Sequence, residues 1–374
     1  MSHQEAFLAL VRAGLWELAN ENENQNEKRL EGLDWGGVIR LSEEQSVVGI
    51  VAAGVEKLPA GTLPLTEKLT LLGKCQLVEQ QNVAMNQFVA KLVAQMREAG
   101  IDVVLVKGQG VAQCFEKPMW RSCGDVDFLL DEENYEKAKV FLKPLASSTG
   151  KESAFNKHSD YTIDSWTVEL HSNMRCGLSD KMDSVLDEIQ EEVCGKGQDR
   201  TWMNGYVPVN LPAPNEDVVF VFTHFLKHFY KGGLGLRQIC DWCRLLWTYR
   251  NDIDVAKLEG RLQKMRVVTE WMGFASFAVE VLGMPEEAMP IYDPAVKWKR
   301  KANKILVFIL RSGNFGHNRD MSYFGKYPYM IRKVISLKQR LSDLFNHARI
   351  FSINTIRFAP VIMYNGLRSA ARGE

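Results

Sequence analysis

The sequence predicts an α+β protein, with a β-sheet core near the middle of the chain flanked by N-terminal and C-terminal helical regions. Three observations lead there. Apolar residues recur at helical spacing up to about residue 98, short β-branched and alternating runs fill about 99–212, and helical spacing returns beyond Pro214. The expected units are a helical region at 1–98, an α/β core at 99–212, a helical domain at 213–320 and a basic C-terminal helical segment at 321–374.

In the first unit, Phe7, Leu8, Leu10, Val11 and Leu15 lie at helical spacing, and the polar stretch ENENQNEKR reads as a linker. A long periodic segment runs from about Leu65 to Glu98 and stops at Gly100, a residue suited to ending a helix. DVVLV, after Ile101, is a buried strand; Lys107-Gly108-Gln109-Gly110 and a short helix to about Phe115 follow. GDVDFLL is a second strand, and Asp131 is the expected N-cap of the helix EENYEKAKVFLKPL. FNKHSDYTI and WTVELHS alternate at period two around Asp164-Ser165, as a hairpin would, and TWMNGYVPVNL adds a smaller hairpin around Asn204-Gly205. The helix VVFVFTHFLKHFY breaks at Gly232-Gly233, before LGLRQICDWCRLLWTYR and further helices to about Arg311.

With 374 residues, the chain is long enough for two or three structural units. Lys plus Arg and Asp plus Glu both number 46, so no overall field selects nucleic acid or membrane, and any electrostatic site is local. The N-terminus lacks the basic start and apolar run of a signal peptide, and no uncharged apolar stretch is long enough for a bilayer span. A soluble, cytoplasmic protein is the expectation. Cys240 and Cys243 form a lone C-x-x-C inside a helical pattern, which reads as buried thiols in a reducing compartment. The last 54 residues carry nine Lys or Arg against Asp343 and Glu374. That basic segment could contact phosphate-rich partners or a membrane surface, although a helical face docked on its own protein is the commoner case.

Asp125 and Asp127 are two apart on a strand and leave the same face, while Val126, Phe128 and Leu130 point to the other. Neighbouring carboxylates repel unless a cation sits between them, and an all-oxygen set suits Mg²⁺ or Mn²⁺. If Asp164 and Ser165 are the hairpin loop, Thr162 meets Thr167, Asp160 meets Glu169 and His158 meets His171 on one polar face. Asp160 opposite Glu169 again calls for a cation or a raised pKa. On spacing alone, a solvated sheet face with scattered acids is the commoner origin of such a pattern. His224 and His228 share a helix face, but HFLKH lacks the Glu of H-E-x-x-H. Arg237 and Asp241, also four apart, suggest an ordinary ion pair.

The stretch LVKGQGVAQCFEKPMWRSCGDVDFLLDEENYEKAKVFL resembles the nucleotidyltransferase superfamily that includes DNA polymerase β. Within it the chain is similar to a branch of uncharacterised bacterial nucleotidyltransferases over roughly residues 45–290. The matching positions are Lys107-Gly108, Arg121, Gly124-Asp125-Val126-Asp127, Glu169-Leu170-His171, and then His224, His228, Arg237 and Asp241. The resemblance implies a nucleotidyltransferase-like mixed β-sheet core that transfers a nucleotidyl group from an NTP to an acceptor hydroxyl. That acceptor belongs to a small molecule, a protein or a nucleic acid, and balanced charge argues against a long nucleic acid. It implies Mg²⁺ or Mn²⁺ held by Asp125, Asp127 and Glu169, with Glu169 orienting or deprotonating the hydroxyl. Lys107, Gly108, Gly110, Arg121 and Gly124 would serve the nucleotide, with Gly108 and Gly110 letting backbone amides approach the phosphates. His158, Asp160, His171, His224, His228, Arg237 and Asp241 would line the cleft. One departure is Lys-Gly in place of the superfamily's Gly-Ser; Lys107 replaces the hydroxyl as a point charge if it faces the site. Two other readings stand beside this one: a non-catalytic nucleotide-binding or interaction protein that keeps the fold, and a metal phosphohydrolase using His224, His228 and Asp241.

Overall fold

The structure, a computed structural model, describes residues 1–17, 32–150, 158–195, 200–231, 233–313 and 328–371. The expected linker ENENQNEKR, the start of FNKHSDYTI and Gly232 of the helix break lie outside these residues. Helix α1 (His3–Leu15) starts at a capping box in which Ser2 and Glu5 exchange hydrogen bonds. Helix α2 (Trp35–Glu44) leads to α3 (Val48–Glu56), which lies directly on α1. Their backbones approach so closely that a Cβ on Gly54 would fall 2.1 Å from Leu10 O. Helix α4 (Leu65–Glu98) is 34 residues long and ends before Gly100, whose φ is +69°.

The sheet then forms from seven strands. β1 (Val104–Val106) and the short α5 (Gly108–Ala112) precede β2 (Asp125–Leu129). Asp131 caps α6 (Glu132–Leu142) by accepting a hydrogen bond from Asn134 N at 2.7 Å. There follow β3 (Ser148–Thr149), the hairpin of β4 (His158–Ile163) and β5 (Trp166–His171), α7 (Asp180–Gly195), and the hairpin of β6 (Arg200–Asn204) and β7 (Val207–Leu211). The strand order is β3-β4-β5-β2-β1-β7-β6. β2 pairs parallel with β5, and β1 with β7; the other pairs are antiparallel, so the sheet is mixed.

The β4–β5 register is the one that period-two alternation requires. Asp164 and Ser165, at φ 49° and 73°, turn the chain, and Asp160 faces Glu169 as His158 faces His171. Strand β3 and helix α7 were not read from the sequence, nor were the parallel pairings, which follow from crossovers rather than from local pattern.

The sheet's two faces belong to different cores. Val126, Phe128, Leu130, Tyr161, Val168 and Leu170 pack under Met85, Val89, Leu92 and Met96 of α4 and under Tyr135 and Leu142 of α6. A larger core is built by α8 (Pro214–Lys231), α9 (Leu236–Thr248), α10 (Val255–Met265), α11 (Val268–Glu280) and α12 (Val296–Ser312), around Phe222, Phe225, Trp242, Trp271 and Phe274. It also takes in α1, α3 and, through Leu71 and Cys75, the first half of α4. Cys240 and Cys243 are buried free thiols. Helices α13 (Tyr329–Ala348) and α14 (Ser352–Ala371) carry the basic segment, and α14 docks on the protein through buried Phe358 and Ile362. Among the described residues, no helix is long and apolar enough to cross a membrane.

Phe128 has no exposed surface and directly follows Asp127 on β2, so it tests whether the apolar face supports the polar one. Phe128→Ala should cost about 3–5 kcal/mol, read as a lowered denaturation midpoint.

Candidate functional site

The parallel register sets Asp127 of β2 beside Glu169 of β5, and Glu169 stands opposite Asp160 of β4. Period two then places His171 on the same face as Glu169, with His158 across from it. Three strands thus present one polar face of four carboxylates and two imidazoles, once Asp125 is counted. The imidazole rings of His158 and His171 stack with centroids 4.8 Å apart.

Lys107 enters this face from the N-cap of α5. Its backbone, at φ 57° and ψ −143°, lies in a region that side-chain-bearing residues rarely occupy. The conformation delivers Nζ to within 2.5 Å of Asp127 Oδ1, the same oxygen that His171 Nε2 approaches at 2.8 Å. Asp127 is only 2% exposed. His158 Nε2 lies 3.2 Å from Glu169 Oε2, and His171 Nε2 lies 3.4 Å from that oxygen. Relief for these like charges comes from within the chain. The Lys107 ammonium lies among the carboxylates and two imidazoles border them, so repulsion alone does not demand a metal.

The charges respond accordingly. Burial opposes the Lys107 ammonium, yet the pull of Asp127 and Glu169 outweighs it and raises its pKa. Burial also opposes the Glu169 carboxylate, but hydrogen bonds to His158 and His171 and the charge of Lys107 hold it well below the usual range. The hydrogen bond to Glu169 raises the pKa of His158. Asp125 goes the other way: burial and the neighbouring Asp127 push its carboxyl up. Its side chain has no hydrogen bond or ion pair to any described residue.

In front of Asp125 and Asp127 opens a cleft with about 480 Å³ of atom-free space. One wall is the sheet side, with Lys107, Gly108 and Val111; the other is α8 and α9, with Val221, His224, Phe225, Arg237, Gln238 and Asp241. Arg121 bridges the walls. It pairs with Asp241 through two bonds, Nε to Oδ1 at 3.0 Å and Nη2 to Oδ2 at 2.6 Å, and both side chains are buried. The 119–123 loop that carries Arg121 is gripped by α4. Asn82 Nδ2 donates to Met119 O and Arg121 O, and Gln81 Nε2 donates to Cys123 O. Arg237 donates from Nη1 to Ser122 O at 2.6 Å and does not pair with Asp241, as its helical spacing had suggested. Asp241 turns instead to a partner 120 positions away. Around this cleft Arg121 Nη1, Arg237 Nε and Gln238 Nε2 are buried donors without an acceptor among the described residues.

Helix α8 adds the neutral pair His224 and His228, with their Nε2 atoms 3.0 Å apart. Burial, reinforced by nearby lysines, holds His224 well below its ordinary value and His228 at about 3. His224 lines the cleft and His228 backs it. Lys227, one residue before His228, is a residue that the sequence reading passed over. Burial lowers its pKa, the charges of Lys107, Glu169 and Asp127 reach it, and it has no hydrogen bond or ion pair to a described residue. Helical spacing of three from His224 was the available signal.

Two glycines sit elsewhere than expected. Gly108 lines the cleft, with φ +34° and Cys123 Sγ 3.2 Å from where a Cβ would stand. Gly110 turns to the sheet, where a Cβ would meet Leu211 Cδ2 at 2.8 Å. Gly124 is exposed and touches no wall. The expected amide cradle thus narrows to Gly108, because the five-residue α5 packs its second glycine against β7.

The model of the family described as Uncharacterised nucleotidyltransferase matches residues 31–283, which hold the whole sheet and both walls of the cleft. The chain belongs to this family. No curated protein and no solved structure matches it. Within this nucleotidyltransferase family member, the cleft joins an acidic floor to a wall of unsatisfied donors. That combination suits a ligand that brings negative charge to the donors and a cation to the carboxylates.

Two outcomes test this account of the site. Asp241→Asn leaves the buried Arg121 guanidinium without its counter-ion and should destabilise the protein by about 3–5 kcal/mol, measured by thermal or urea denaturation. His228, depressed from 6.5 to about 3, resists protonation when folded and takes up a proton on unfolding. It therefore contributes stability that is lost as pH falls from about 6.5 towards 3. Thermal midpoints between pH 7 and 4 should fall less steeply in His228→Gln than in the unaltered protein.

Proposed function

We infer that the protein is a metal-dependent nucleotidyltransferase of the DNA polymerase β type, moving a nucleotidyl group from an NTP to an acceptor hydroxyl. The observation that carries this reading is that Asp125, Asp127 and Glu169 share one face of the parallel strands β2 and β5, the first two lining a cleft. Family membership supports the transfer chemistry in its coarse form.

The residues present fit a divalent cation. Asp125 has both carboxylate oxygens unengaged by described residues, and Asp127 retains Oδ2 beyond the oxygen shared by Lys107 and His171. Asp125, Asp127 and Glu169 would hold Mg²⁺ or Mn²⁺, whose chemistry when bound is to neutralise charge developing on the phosphates during in-line displacement. The chain's own residues do the rest. Arg121 Nη1, Arg237 Nε and Gln238 Nε2 offer three donors to phosphate oxygens, and Lys227 adds an ammonium with no partner among the described residues. Gly108 keeps the floor open where a side chain would crowd Cys123. Lys107 supplies a point charge in place of the superfamily's hydroxyl and pairs with Asp127. Glu169, kept charged by His158, His171 and Lys107, orients the incoming hydroxyl, whose proton leaves to solvent. The acceptor oxygen bonds to the α-phosphorus, the bond from that phosphorus to the bridging oxygen breaks, and pyrophosphate leaves.

A second reading rests on one specific observation. With Lys107 already on Asp127 Oδ1, the floor is charge-compensated, which suits a domain that binds nucleotide without turning it over. Pyrophosphate release and nucleotide retention, measured with each NTP in Mg²⁺ or Mn²⁺, separate the two. Transfer predicts metal-dependent release or self-labelling, lost by about a hundredfold or more in Asp125→Asn while the thermal midpoint holds. Release unaffected in that variant would overturn the transferase assignment, and retention without release under any metal would favour the binding protein.

A further inference from the structure

The third carboxylate of the floor is not surrounded like the first two. Asp125 and Asp127 offer oxygen only, whereas Glu169 Oε2 lies between two imidazole nitrogens, His158 Nε2 at 3.2 Å and His171 Nε2 at 3.4 Å. These three atoms all lie within 4.8 Å of one another. Such spacings are close to the edges of a coordination polyhedron with metal–ligand bonds of about 2.0–2.2 Å. The two rings stack 23° from parallel, and both Nε2 atoms approach the same Glu169 oxygen. Asp160 Oδ1 is 2.9 Å from His158 Nε2, is buried, and makes no hydrogen bond to a described residue.

We propose that His158, Glu169 and His171 form a binding site for a divalent transition-metal ion, distinct in preference from the oxygen-only pair Asp125 and Asp127. This deepens the transferase reading and rests on it only for the role of Glu169. Mg²⁺ favours oxygen and sheds its water reluctantly, while imidazole suits Zn²⁺ and its transition-metal neighbours, of which Mn²⁺ is the weakest binder. Two neutral imidazoles and one carboxylate leave a bound dication with a net charge of one, which the neighbouring Asp160 and Asp127 offset. The site is also rigid: all three ligands project from the two paired strands of one hairpin, in a fixed register. A floor with two different donor sets has a position for a Mg²⁺ that arrives with the nucleotide and another for a resident cation that stays without it.

The test uses the whole chain, stripped of metal and free of nucleotide, titrated with Mn²⁺ and followed by electron paramagnetic resonance. One Mn²⁺ should bind per chain and show nitrogen hyperfine coupling from the imidazoles. Zn²⁺ should displace it, and Mg²⁺ should compete at least about tenfold less well. Binding should weaken about tenfold or more in His158→Ala and in Glu169→Gln, each checked for folding by circular dichroism, while Asp125→Asn retains the nitrogen coupling. Bound Mn²⁺ without nitrogen coupling, equal competition by Mg²⁺, or unchanged binding in folded His158→Ala would each overturn the proposal. Pyrophosphate release in Mg²⁺ by the unaltered protein, combined with no nitrogen coupling, removes this site and leaves the transferase standing. Nitrogen coupling without pyrophosphate release under any metal does the reverse.

Discussion

The contact on which the acidic face depends is the ion pair between Lys107 Nζ and Asp127 Oδ1. Four carboxylates on three adjacent strands would otherwise repel across a half-buried surface. The chain accepts an unusual backbone at Lys107 to make this contact, and strain of that kind costs on the order of 1–3 kcal/mol. Desolvation is overcome because the ammonium is shared: Asp127 takes it directly, and Glu169 and Asp125 act on it through space. His171 completes the arrangement by approaching the same Asp127 oxygen from β5, so one buried carboxylate on β2 orients groups from two other elements.

A second ion pair has a different task. Arg121 and Asp241 come from opposite walls, and their bidentate geometry fixes both the separation and the angle of the cleft. Their burial means that the pair is valuable mainly for what it positions, since desolvation consumes much of the Coulombic gain. It leaves Arg121 with one donor to spare, beside spare donors on Arg237 and Gln238.

Much of the fold was legible because its signals are local. Period-two alternation in His158–Ile163 and Trp166–His171, with a turn between them, dictates which residues face each other, and Asp131 is recognisable as a cap from the helix that follows it. The same alternation separates Val126 and Phe128 from Asp125 and Asp127. What was illegible is non-local. Nothing near Asp127 says that its strand lies parallel to β5, and that pairing alone sets Asp127 beside Glu169. Helical spacing suggested Arg237 with Asp241, but a guanidinium 120 residues away claims the carboxylate. The direction of Lys107 depends on one pair of backbone angles, and Gly110 proved to be a packing residue because β7 joins the sheet beside β1.

Helix α4 belongs to both hydrophobic cores. Leu71 and Cys75 are embedded among the helices that form one wall of the cleft, and Met85 through Met96 roof the sheet that forms the other. Between these anchorages, Gln81 and Asn82 clasp the segment bearing Arg121. The helix is therefore a shared axle rather than a hinge. The two halves of the molecule cannot swing apart without bending a continuous rod at the point where it holds the arginine, so any widening of the entrance is transmitted first to the residue that bridges it.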